Sequence, residues 1–215
     1  MQSSKLKVVT DGWEVKSTLQ ALGLTTEIIS NVARAAAGAK ADALAVDPCS
    51  TPGQLAYIYG VRSIRLQLLP EGWRTSREGN VESTVNHDLG IQLCFQNVHR
   101  ACGERDPEAI SGKGAGSRKL IHDGQVELFE NVGTSTNTKK TVGATPTVWV
   151  LCVSSDDKTI RAELSCPESF EGDQFQGFSK RIFVLDETLD PKPRNDKGSD
   201  DGFDDTDFEV RISKK

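Results

Sequence analysis

The sequence predicts an α+β fold, with N-terminal helices packed on an antiparallel sheet, a flexible insertion and a disordered acidic tail. Three observations lead there. Apolar residues recur at helical spacing as far as Leu69, and from Ile91 onward the apolar period drops to two. Helices followed by strands, rather than alternating with them, point to α+β. Between and after the strands lie polar, glycine-rich and acidic stretches that cannot bury enough apolar surface to offset the cost of ordering them.

The helical part divides in three. Asp11, with Glu14 three residues on, opens a first helix whose stripe is Trp13, Val15, Leu19 and Leu22, and Gly23 closes it. Thr25 or Thr26 opens a second through Ile28, Ile29, Val32, Ala35, Ala36 and Ala39, where the alanine run favours helix. Thr51 as N-cap, Pro52 in the first turn and Gln54 at the capping-box position open the third. Leu55, Ile58, Val61, Ile64, Leu68 and Leu69 give it an apolar face, and Pro70-Glu71-Gly72 ends it.

The strands follow. Ile91, Leu93 and Phe95 alternate with Gln92, Cys94 and Gln96, as on a half-buried strand. Val148 to Val153 is a continuous apolar run, as in a central strand covered on both faces. Ser154 to Asp157 turns the chain into Ile160, Ala162 and Leu164, which alternate with Arg161 and Glu163; a last strand is expected from Arg181 to Leu185. The organisation is then a helical region with first strands over 1–101, an insertion over 102–146, strands completing the same domain over 147–185, and an acidic tail over 186–215. Within the insertion, 102–124 and 130–146 read as mobile. Phe208, Val210 and Ile212 alternate near the end of the tail.

Charge separates these parts. Lys plus Arg against Asp plus Glu stands at 14 to 13 over residues 1–125, 6 to 8 over 126–184 and 6 to 10 over 185–215. A near-neutral body argues against a broad phosphate-binding face. No run approaches the roughly 20 apolar residues that span a bilayer. Met1-Gln2-Ser3-Ser4-Lys5 lacks the apolar run of a secretory signal. A cytoplasmic protein without membrane association is expected. The five scattered cysteines then read as core residues or idle thiols.

Between the two mobile stretches sits an apolar island, Gln125-Val126-Glu127-Leu128-Phe129. It resembles the pentapeptide by which many bacterial replication and repair proteins dock on the polymerase sliding clamp: glutamine, an aliphatic, a small or acidic residue, leucine, phenylalanine. Val126 stands where leucine is commoner, and the other four positions fit. The resemblance implies that Leu128 and Phe129 enter an apolar pocket, that Gln125 sets the register by hydrogen bonding, and that Glu127 stays on the rim. The alternative is an ordinary strand with Val126, Leu128 and Phe129 in the core. Longer stretches resemble a group of uncharacterised bacterial and phage proteins, which implies such an origin and carries no activity. They are Leu22-Gly23-Leu24-Thr25-Thr26-Glu27, Thr51-Pro52-Gly53, Leu69-Pro70-Glu71-Gly72-Trp73, Val148-Trp149-Val150-Leu151, Ala162-Glu163-Leu164-Ser165-Cys166-Pro167 and Lys180-Arg181-Ile182.

Other patterns are weaker. Leu19 to Val32 has helix-turn-helix spacing, with Arg34, Lys40, Arg62 and Arg65 as candidate nucleic-acid contacts should they share one face; a plain helical hairpin is the simpler reading. Cys94, His99 and Cys102 lack the paired spacing of a metal site. His87-Asp88 and Arg105-Asp106 offer no nucleophile–base pair, and Gly112 to Gly116 with Lys113 lacks the order of a phosphate loop. Neither catalytic residues, cofactor nor metal are expected. The leading expectation is a non-enzymatic adaptor on the sliding clamp, in replication, repair or mobile-element biology. The alternatives are a DNA-binding module and an unrecognised hydrolase or nuclease.

Overall fold

The computed structural model describes residues 6–112, 114–130 and 145–189, the side chains of 124–130 and 171 excepted. Three helices form one layer. In α1 (Gly12–Ala21) the Asp11 carboxylate caps the first turn, accepting from the backbone N–H of Trp13 at 3.0 Å and Glu14 at 3.2 Å. Helix α2 (Thr26–Ala41) is capped by Thr25, whose Oγ1 accepts from the Ile28 N–H at 3.1 Å. The third, α3 (Thr51–Leu68), begins one residue from expectation: Ser50 is the N-cap, Thr51 is already helical, and Gln54 reaches back to the Ser50 hydroxyl at 3.1 Å. A short 3-10 turn, Leu69–Glu71, carries the chain to Gly72, whose left-handed φ of 84° makes the exit.

The helices cover one face of a seven-stranded sheet with strands in the order β1-β7-β6-β5-β4-β3-β2. The strands are β1 (Lys7–Val9), β2 (Arg74–Ser76), β3 (Ser83–Asn86), β4 (Ile91–Asn97), β5 (Thr147–Ser155), β6 (Thr159–Glu171) and β7 (Gln174–Thr188). The α+β class and the N-terminal helical layer stand. The sheet, expected antiparallel, is mixed: β1 runs parallel to β7 and β4 parallel to β5. Two strands joined by a long connection that passes over one face can lie parallel, which a tight turn forbids. Residues 98–146 join β4 to β5, and their described part over this face includes a fourth helix, α4 (Ala115–Glu130).

That connection corrects the sequence reading of 102–124 as mobile. Val98, Ala101, Ala109, Leu120 and Ile121 are buried with Cys94, Val148, Val150, Cys152, Phe175 and Phe178 in a second core on the sheet's other face. The sheet is therefore sandwiched, and β4 is buried on both sides rather than one: Gln92 and Gln96 are as inaccessible as Leu93 and Phe95. Gln92 meets the burial cost by donating from Nε2 to the Ser83 hydroxyl at 2.8 Å. The first core joins Val15, Leu19, Ile29, Val32, Val61, Ile64 and Leu68 of the helices to Leu93, Phe95, Trp149, Leu151, Leu164 and Ile182. Strand β7 extends to Thr188, past the expected start of the tail at 186. Residues 131–144 and 190–215, the rest of the expected insertion and tail, lie outside the described residues.

Candidate functional site

Two of the helical stripes depart from expectation. Trp13 is 78% exposed, because it stands off the face shared by Val15 and Leu19. In α3 the core takes Ala56, Gly60, Val61, Ile64 and Leu68, while Ile58, expected inside, is 47% exposed. Gly60 lies against the Phe95 ring, which occupies the space a side chain would need. Leu69 is exposed too, as are Leu66 and Tyr59. Ile58, Leu66 and Leu69 border, with Tyr57, Arg62, Arg65 and Glu82, an open groove of about 450 Å³ along the outer side of α3. A helix apolar on both sides has a second face to cover. The Arg62 guanidinium stacks on the Tyr59 ring at 4.4 Å. Beside it Glu82 joins Arg65 and, at 3.0 Å, Arg77. The hydrogen bond from Arg65 holds the Glu82 carboxyl below the usual carboxylate range, and both arginines' charges add to it.

The groove ends where β3 stops. Ser83 is the last β3 residue paired with β4, opposite Cys94; beyond it the Asn97 carbonyl on this edge accepts from the Ile110 N–H at 3.1 Å. The start of α3 covers this edge, with Asn97 Nδ2 donating to the Gly53 carbonyl at 2.9 Å. Tyr57 stands there with its ring 6.3 Å from Phe95, and burial pushes its phenol above the usual range. Behind it a small cavity of about 90 Å³ continues under α4 between Cys94, Val150, Leu120 and Phe175.

A polar centre lies on the sheet's second face. Glu163 and Arg181 are 0% and 1% exposed and form a two-pronged pair, Nε to Oε1 and Nη2 to Oε2, both 2.8 Å. The same carboxylate accepts from the Ser165 hydroxyl at 2.7 Å and the Cys102 backbone N–H at 2.5 Å. Asp106 lies 3.4 Å from Arg181. Four donors saturate the carboxylate, so it has no lone pair left for proton abstraction. The neighbouring Cys102 thiol is pushed up to about 12, by burial first and then by Glu163, so it is protonated at neutral pH and not a nucleophile. This centre clasps the 98–112 connection to the sheet. Sequence reading missed it, having placed Glu163 only as an alternating position on a strand.

The residues singled out by sequence are dispersed. Arg34 pairs with Glu187 of β7 at 2.8 Å, and Lys40 donates to the Ser155 carbonyl at the end of β5. Arg62 and Arg65 line the α3 groove over the β3 side of the sheet. The four cations thus share no face, and three are engaged by their own chain. Helix α2 packs on α3 and on β5, β6 and β7, and its exposed stripe, Glu27, Asn31, Arg34 and Gly38, carries one cation, Arg34. His87, Asp88 and His99 are exposed, Cys94 is buried, and the described residues hold no group of three or more His, Cys, Asp or Glu placed for a metal ion. Gln125 to Phe129 falls on the last turns of α4, a helix where an extended island was expected, and its side chains are outside the described ones. No described helix is long and apolar enough to cross a membrane.

No family model matches the chain, and neither a curated protein nor a solved structure matches it.

Proposed function

We propose that the chain is a non-enzymatic adaptor that docks on the bacterial sliding clamp through Gln125, Val126, Glu127, Leu128 and Phe129, and works in the cytoplasm in replication, repair or mobile-element biology. The observation that carries this reading is the position of the pentapeptide on α4. Leu120 and Ile121 anchor the first half of the helix in the second core. Gly124 then separates these anchors from the pentapeptide, at a cost of about 1 kcal/mol relative to alanine. The last turn has no basic residue, and Glu127 and Glu130 stand at the negative end of the helix dipole, each unfavourable by about 0.3–1 kcal/mol. The final turns are therefore the part of α4 with least reason to stay helical. Unwinding them presents an extended peptide while the core stays closed.

Leu128 and Phe129 contribute roughly 1.5–3 kcal/mol each on burial in a partner pocket. After ordering costs, affinity in about the micromolar range follows, that of a tether rather than a permanent subunit. A peptide covering His122 to Val132, and the intact protein, should both bind purified bacterial clamp in that range. Gln125→Ala should weaken binding by about 0.5–1.5 kcal/mol, and Leu128→Ala with Phe129→Ala should abolish it. No binding at about a hundred micromolar would sink the proposal.

A further inference from the structure

The outer face of α3 is a docking site, and we infer that its occupant is the acidic segment Phe203–Ile212 of this same chain. The face offers Ile58, Leu66 and Leu69 as an apolar stripe along one side of the helix, with Arg62 in the middle. Among the described residues Arg62 has no carboxylate partner and rests only on the Tyr59 ring. A second copy of the chain is a poor occupant. Two α3 faces packed about a two-fold axis would bring Arg62 against its own counterpart near the centre, a like-charge contact that costs affinity. An acidic, apolar segment meets both needs of the face.

Residues 200–209 contain Asp200, Asp201, Asp204, Asp205, Asp207 and Glu209 and no basic residue. Phe203, Phe208, Val210 and Ile212 supply the anchors, the last three alternating with Glu209 and Arg211. Anchors for the stripe and carboxylates for Arg62 thus come from one short stretch. Reach is ample. Leu189, fixed by its N–H to the Lys158 carbonyl, leaves the sheet from β7. Helix α3 packs over β4 and β3, three to four strands away in the sheet order, or roughly 14–19 Å. The residues between Leu189 and Phe203 span up to about 45 Å when extended.

The test is hydrogen exchange on the full chain. Backbone amides of residues 203–212 should exchange at least about tenfold more slowly than in an unstructured peptide. Arg62→Glu combined with Leu66→Asp should return them to the unstructured rate. Both positions are exposed, and an unchanged melting temperature shows that the variant is folded. Asp205→Lys with Asp207→Lys, added to Arg62→Glu alone, should restore part of the protection. Unstructured exchange of 203–212 in the unmodified chain overturns the inference. So does protection indifferent to the α3 substitutions, or protection that grows with protein concentration, which would make the occupant a second copy.

Discussion

Glu163 shows how much one residue can hold. It fixes Arg181 across the hairpin, Ser165 on its own strand and the Cys102 N–H of the covering connection. Glu163→Gln keeps the shape and removes the charge, leaving a guanidinium that is 1% exposed with Asp106, at 3.4 Å, the one other carboxylate beside it among the described residues. Breaking one partner of a buried pair costs about 3–5 kcal/mol, and chemical denaturation should show a loss of that size. The alternative outcome, a variant as stable as the parent, would mean that water reaches Arg181. Sequence alone could not announce this centre. A glutamate between Ala162 and Leu164 carries the same pattern whether its face meets solvent or an arginine eighteen positions on.

At the scale of elements, the sequence was most informative where local chemistry decides. Asp11 and Thr25 cap the helices expected of them, and Val148 to Val153 is a strand covered on both faces. It was least informative where burial depends on distant chain. Strand β4 alternates polar and apolar residues, yet both its faces are covered, because a connection with few apolar residues still places Leu120 and Ile121 on the second one. The short strands β1, β2 and β3 lack the length for a periodic signal. As for the candidate site, the α3 face was hinted at by more apolar residues than one stripe can hold, and the Glu163 centre by nothing. Helix α3 supplies a further check. Replacing a helix-interior glycine by alanine ordinarily gains up to about 1 kcal/mol. At Gly60 the added methyl would enter the space of the Phe95 ring, so Gly60→Ala should instead destabilise by about 1–3 kcal/mol in urea melts, and Phe95→Leu in the same chain should recover part of the loss.

For the whole molecule, β5 is a central strand that, like β4, joins both cores. Trp149, Leu151 and Val153 face the helices, while Val148, Val150 and Cys152 face α4 and the connection. Trp149 is 7% exposed, and truncation to alanine should cost about 3–5 kcal/mol, read as a lower midpoint in chemical denaturation. A loss under about 1 kcal/mol would show that the helical layer closes over the gap.

The pairing of β6 with β7 has a consequence for the order in which the chain folds. These two strands meet across a turn at Gly172 and Asp173, and their arm continues past Cys166, where β5 no longer accompanies it. Phe170, Phe175 and Phe178 stack along that arm, 4.8 and 5.3 Å between successive ring centres. Contacts so near in sequence form on the microsecond scale, before distant segments have met. The contact of Val8 with Arg181, by contrast, joins residues about 170 positions apart and closes last. This hairpin, like the equally local β5–β6 and β3–β4 pairs, therefore precedes β1, and a nascent chain gains that edge strand only after residue 182 has been synthesised.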